Sequence, residues 1–270
     1  MARTLVVTDS NVGLPGPVRA DLGLRVVPIS ILLTDHELTD EGIDARLVFD
    51  ALGRDEEVKS SPPSVLDYVN AIDDGEHDAV VVLTPAAEFT SMFTHASRAA
   101  DLAAKPVRVL DTRTAAAAQT LVVLETARAA RTGASLDAVE AVARDAIARA
   151  ELVAALDRVA TIEHGGGRIP PRVIETVQRS AGHPVFRFRD GAVTPVPSTS
   201  DDPLEDLVRA WRADAGAEAG GGLVFHAAAE ERAHRLRSLL TGSEEIVVFS
   251  PAIAMYTGPG VVGVAWLRPA

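Results

Sequence analysis

The stretch "KSSPPS", Lys59 to Ser64, sets small hydroxyl side chains beside two consecutive prolines. Proline fixes its own φ and pushes the preceding residue to an extended conformation, so Ser61 and Pro62 have little freedom. Ser64, with Asp67 three residues on and an apolar run following, has the pattern of a helix N-cap. Capping leaves Ser60 and Ser61 unexplained, and both are hydrogen-bonding groups on stiff backbone. In "EFTSMFTHASRAA" a second hydroxyl pair, Thr90 and Ser91, stands where a helical pattern begins. Free backbone N–H groups at such a point favour an anion. "GGGR", Gly165 to Arg168, reads either as a backbone nest with a guanidinium for an anionic group or as a helix stop ahead of Pro170 and Pro171. "YTGPG", Tyr256 to Gly260, is a further loop of glycine and hydroxyls, or an ordinary turn.

A different chemistry is offered by carboxylates. In open parallel sheets ligands sit outside the carboxyl ends of the strands, and the strand ends here carry Thr8-Asp9-Ser10, Thr84 and Asp111-Thr112. Asp9 and Asp111 with a metal would suit phosphoryl transfer or hydrolysis, although such residues also cap helices and form turns. Neither belongs to a metal-ligand cluster. The 7 histidines are scattered without metal spacing, and the 0 cysteines remove thiolate nucleophiles and disulfides. G-x-x-x-x-G-K-[ST], G-x-G-x-x-G after a strand and G-x-S-x-G are all missing, so no cofactor is expected.

These residues need elements to hold them. Short β-branched runs, "TLVVT" from Thr4, "DAVVVLT" from Asp78 and "VRVLD" from Val107, alternate with alanine-rich helical stretches. That rhythm predicts a parallel sheet covered by helices on both faces. Two helical segments meet at "TGAS", where Gly133 can end one helix and Ser135 can cap the next. A first lobe over 1–150 and a second over 151–270 follow. In the second, "ELVAAL" leads as a strand into a helix stopping at "HGGGR", and "HPVFRFRDGAVTPV" reads as a hairpin turning at Asp190-Gly191. "GAEAGGG", from Gly216, reads as a flexible surface turn. "LVFHA", "EIVVF" and "VVGVAW" supply more strands, with a charged helix around Glu230 to Leu240. The second sheet is therefore mixed.

The chain has 270 residues, 47% of them apolar, which is enough for one large core or two modest ones. Its net charge of −12 opposes nucleic-acid backbones and anionic lipid surfaces. The N-terminal "MARTLVVTDS" is too brief for a signal-peptide core or a membrane span, so a soluble cytoplasmic protein without stable membrane insertion is expected.

In their shared order, the segments resemble the DegV family. "TDSNVGLP" is similar to its opening TDS-x-x-x-LP and "KSSPPS" to its TSxPS loop. "FTSMF" stands where LSGTY is usual, "LDT" where IDS is usual, "GGRI" from Gly166 is kept, and "SPAIAMYTGPGVVGVAW" resembles GPVIGTHTGPGALGVAF. The resemblance implies a two-lobed α/β fold that binds a long-chain fatty acid and presents it to a separate ATP-dependent fatty acid kinase, with no catalysis of its own. It implies an acyl chain between the secondary-structure layers of the first lobe and a carboxylate near the cleft between lobes. By the same resemblance the carboxylate-binding hydroxyls fall on Ser60 and Thr90, and Tyr256 stands in place of a histidine. Ser91 and Met92 replace glycine and threonine and add bulk at the headgroup. Besides the metal-assisted enzyme, a regulator binding another small amphiphile in the same pocket is an alternative.

Overall fold

The computed structural model describes residues 3–34, 36–54, 56–157, 184–215, 222–242 and 244–269. The first half runs β1 (Thr4–Asp9), α1 (Gly16–Leu22), β2 (Leu24–Val27), β3 (Ser30–Leu33), β4 (His36–Thr39), α2 (Ala45–Gly53) and β5 (Lys59–Ser61). It continues through α3 (Val65–Asp73), β6 (Ala79–Thr84), α4 (Met92–Leu102), β7 (Val107–Asp111), α5 (Ala116–Arg131) and α6 (Leu136–Arg149). The second half contributes β8 (Ala150–Ala155), β9 (Val185–Arg189), β10 (Ala192–Val196), α7 (Pro203–Ala215) and β11 (Leu223–His226). It ends with α8 (Glu230–Leu239), β12 (Glu245–Val248), α9 (Pro251–Thr257) and β13 (Val262–Leu267).

The β-branched runs of the first half pair in parallel in the order β2-β1-β6-β7. Every residue of β1 and β6 is buried, as continuous apolar runs require when both faces are covered. Side-chain alternation sorts these strands between two cores. Leu5, Val7, Val80 and Val82 meet Tyr68, Ile72 and Met92 from α3 and α4, whereas Val6, Val81 and Leu83 meet α5 on the other face.

The second sheet has the order β10-β9-β8-β13-β11-β12 and is mixed: all its pairs are antiparallel except β11 with β12. The hairpin turns at Asp190 and Gly191, with φ of 50° and 74°, the left-handed pair that a tight two-residue turn needs. Pro195, which has no amide hydrogen, sits in β10 on the sheet's edge, where proline is tolerated. One face of this sheet packs on Leu204, Leu207 and Trp211 of α7 and Leu236 of α8. The opposite face turns towards α5.

α5 is thus covered by both sheets. Ala117, Ala118, Leu121, Val122, Val123 and Ala127 are all buried, and their core takes in Val6 and Val81 from one sheet with Leu152 and Phe225 from the other. Small side chains let the backbone of α5 lie close to a sheet on each side. Its C-terminal end follows the sequence expectation: Gly133 has φ +76° and donates its N–H to Ala130 O, and Ser135 Oγ accepts from Ala138 N.

One feature was not expected. "KSS" is strand β5, which pairs with β3 in a three-stranded antiparallel sheet, β4-β3-β5, so Ser60 lies opposite Ile31 and Ser61 opposite Ser30. The stretch is held by sheet hydrogen bonds before its prolines begin. The helix expected to end at "HGGGR" and residues 216–221 of "GAEAGGG" lie outside the described residues.

Because α5 has no room on either face, Ala118→Leu is expected to destabilise the chain by about 1–3 kcal/mol or prevent folding. Urea titration followed by circular dichroism measures it.

Candidate functional site

Beyond the N-terminal end of α5 the space between the two sheets is not filled. A cavity of about 220 Å³ lies there, with Ala115 and Ala116 in its wall. Apolar cavities of roughly 150 Å³ stay dry and accept hydrocarbon guests. The wall is almost entirely hydrocarbon. Of the chain's 7 phenylalanines, Phe89, Phe186, Phe188, Phe225 and Phe249 all line it.

Each ring is placed by its strand or loop. In "VFRFR" the period of two puts Phe186 and Phe188 on the cavity face, and Arg187 and Arg189 on the other, where they pair with the buried Glu151. Phe225 stacks on Phe249 with centroids 4.5 Å apart. A Cβ at Gly263 would overlap the Phe225 ring and Val153 O, so only glycine at that register lets the ring lie across β13. Phe89, in the loop after β6, meets Phe188 edge-on at 5.3 Å. Behind that contact Arg113 Nε donates to Asp190 Oδ1 at 2.6 Å, Arg113 Nη1 pairs with Glu88 at 3.0 Å, and Gly191 N donates to Arg113 O at 2.6 Å. The hairpin of the second sheet is tied in this way to the loops of the first.

Hydroxyls interrupt the apolar wall at a few points. Ser60 Oγ and Tyr256 OH are 2.5 Å apart, although 196 residues separate them in sequence. Thr90 is also in the wall; its Oγ1 accepts from Met92 N at 3.4 Å, so its proton is available to an acceptor. Ser60, Thr90 and Tyr256 therefore meet at one cavity. Ser61 and Ser91 do not: both are exposed and outside its wall, Ser91 occupying the N-cap position of α4. Arg168 lies outside the described residues. The stretch from Ser60 to Ser64 is steadied further by His95 Nδ1, 2.7 Å from Pro63 O, and by the reciprocal capping box of Ser64 and Asp67.

The cavity's position departs from the expected one. Instead of lying within the layers of the first lobe, it is walled by the second sheet on one side and by loops, β5 and helix ends of the first half on the other. Asn11 and Thr257 also line it; Asn11 was not singled out in the sequence, and Thr257 only as part of the hydroxyl-bearing "YTGPG". Asn11 adjoins the strand-end Thr8-Asp9-Ser10, and the phenylalanine alternation in "VFRFR" was visible; their convergence depends on long-range pairing.

The strand-end carboxylates are engaged by the chain. Asp9 is fully buried, accepting from Asn11 N at 3.0 Å and Gln119 Nε2 at 2.8 Å. Burial outweighs these bonds and pushes its pKa up to about 6. Asp111 accepts from Arg113 N at 2.8 Å and Ala87 N at 3.3 Å, and burial raises its pKa as well. Strand β6 separates the two, which puts them about 10 Å apart across the sheet. Among the described residues no group of three or more His, Asp or Glu side chains could hold one metal ion. No described helix is long and apolar enough to cross a membrane.

Residues 3–269 match the family model described as "Uncharacterised protein, DegV family". The chain belongs to the DegV family. A DegV domain-containing protein of Streptomyces coelicolor is 31% identical over 282 residues, which cover 96% of each chain. Among solved structures, a DegV family protein from Thermus thermophilus, described for its fatty acid binding, superposes with a TM-score of 0.86 at 24% identity, covering 99% of this chain and 100% of that one. A DegV family protein from Eubacterium eligens, loaded with heptadecanoic acid, gives 0.83 at 18%, covering 98% and 100%. At these identities the structural likeness is one of fold, and it spans both sheets of the DegV chain.

The buried Asp9 sets a pH dependence. Its folded pKa lies above its unfolded one, so its contribution to stability is present below about pH 4 and is lost as pH rises through about 6. Gln119 Oε1 has no partner and can turn to accept from an amide. Asp9→Asn is therefore expected to gain stability relative to the unaltered chain by about 2–3 kcal/mol between pH 4 and 7, with the difference flat above that. Urea denaturation of both proteins across that range measures it.

Proposed function

We propose that this DegV protein binds a long-chain fatty acid in the cavity between its sheets and presents the carboxylate to a separate ATP-dependent fatty acid kinase, performing no chemistry itself. The observation that carries the reading is the cavity wall: five phenylalanines and aliphatic neighbours, broken by the hydroxyls of Ser60, Thr90 and Tyr256. The fatty acids held by the Thermus and Eubacterium relatives support it.

Magnitudes explain the division of labour. Burying a chain of about sixteen carbons at roughly 0.8 kcal/mol per methylene contributes on the order of 12 kcal/mol before ordering costs. The tail dominates affinity. A carboxylate buried without partners would cost several kcal/mol, so it needs two or three donors. Thr90 supplies one proton, and where Tyr256 OH donates to Ser60 Oγ the serine keeps its own proton for the ligand. α5 adds positive potential, because it begins at the wall without a side-chain cap. In this reading Arg168 assists at the headgroup, Ser61 and Ser91 remain outside the contact, and the 1–150 and 151–270 lobes close on the ligand from either side. A kinase that consumes ATP places the protein in the cytoplasm.

Native mass spectrometry of the purified protein is expected to show fatty acid that organic extraction removes. Protein that is repeatedly empty and also ignores added oleate defeats the proposal. Ser60→Ala combined with Thr90→Val is expected to weaken oleate binding about ten- to a hundredfold without abolishing it, since the tail contribution survives. Isothermal titration reads the change, and an unaltered affinity removes both hydroxyls from the site.

A further inference from the structure

Tyr256 reaches Ser60 from α9, a helix that belongs to the second half of the sequence but packs on the first: Ala252, Met255 and Tyr256 join the core formed by α3, α4 and β1. Its first turn contains Pro251, and Ser250 makes no side-chain capping bond. The capping role is filled from far away. Asp40, which is 4% exposed and follows β4, accepts from Ala252 N at 2.8 Å through Oδ1 across 212 residues of chain. Asp40 is fixed in turn, because its N–H donates to Ile29 O at 2.7 Å, and Ile29 N donates to Ser10 Oγ at 3.0 Å. Ile29 and Ala252 both line the cavity. The Ser10 and Ser250 hydroxyls flank the carboxylate and favour its charged form, as does Ala252 N, while burial outweighs them and raises its pKa. The arrangement fixes the axial position of α9, and with it the hydroxyl of Tyr256, the sixth residue of that helix.

We propose that Asp40 is a positioning residue for the ligand headgroup, latching α9 so that Tyr256 OH is held against Ser60 at the cavity wall. The inference rests on the fatty-acid reading for its ligand, but the latch can be measured without any ligand. Tyr256 is one of 2 tyrosines, the other being Tyr68, so ring-labelled tyrosine gives two resonances, assigned by Tyr256→Phe. Asp40→Ala is expected to shift the Tyr256 resonance in the empty protein. It is also expected to weaken oleate binding about tenfold while changing oleyl alcohol, which carries no charge, less than about twofold. In a protein that also carries Tyr256→Phe, Asp40→Ala should cost nothing further, because the two act through one hydroxyl. Asp40→Asn keeps an acceptor for Ala252 N and should restore oleate binding to within about threefold. Where Asp40→Ala does not fold, Asp40→Ser, too short to reach Ala252 N, takes its place with the same expectations.

An unmoved Tyr256 resonance overturns the latch whatever the ligand results. A loss shared equally by oleate and the alcohol, or one that adds in full to that of Tyr256→Phe, overturns it too, since either marks general destabilisation. A shifted resonance in an unaltered chain that binds neither probe supports the latch and refutes the fatty-acid reading alone.

Discussion

Everything in this fold follows from placing one helix between two sheets. α5 is covered on both faces, so it cannot be amphipathic in the ordinary sense; its buried length is narrow and mainly apolar, with Gln119, Thr120 and Thr126 each hydrogen-bonded. Its alanines meet that demand, and the helix holds the sheets apart by its own diameter, about 10–12 Å with side chains. Where α5 begins, the separation persists but the spacer is gone. Phenylalanine rings from the second sheet, with Phe89 from a loop of the first half, project into the gap without filling it. The cavity is therefore a geometric remainder of the layer arrangement, and its walls are greasy because they are continuations of a protein core.

Polar groups at this remainder are placed by connections that cross between the halves of the chain. The Arg113 contacts with Asp190 and Glu88 fasten the hairpin tip to the first sheet's loops. Asp40 fastens α9 to the first half. Such ties matter because Ser60 and Tyr256 come from elements that share no sheet, and two hydroxyls can act on one ligand oxygen only when both backbones are fixed. β5 and the capping box of α3 hold one partner, and the contacts around Asp40 hold the other.

How much of this was visible in the linear chain depended on the range of the interaction. The hairpin at Asp190-Gly191, the capping box at Ser64, and the helix stop and start at Gly133 and Ser135 are set by neighbours a few residues apart, and each reads directly from residue type. The parallel first sheet and mixed second sheet were legible from strand rhythm. β5 was not, since three residues carry no periodicity and only their pairing with β3 makes them a strand. Ser60 and Thr90 could be named as hydroxyls on stiff or helix-initiating backbone, whereas Tyr256 was read as part of a loop, entered through the family resemblance, and lies in α9. That Ser61 faces solvent depends on the same pairing, because successive residues of a strand point opposite ways. Asp9 and Asp111 look like catalytic carboxylates in the sequence; the structure engages both with backbone and amide donors from the strand-end loops and the adjoining α5.

The rim of the larger sheet has a bearing on how such a protein survives in company. Pro195 sits one residue before the end of its outermost strand, where another chain would need an amide hydrogen to extend the ladder and finds none. A molecule with a hollow, oily middle is at risk of sticking to its own copies whenever it loosens. On that side, the position where self-assembly into fibrils would start is chemically blunted.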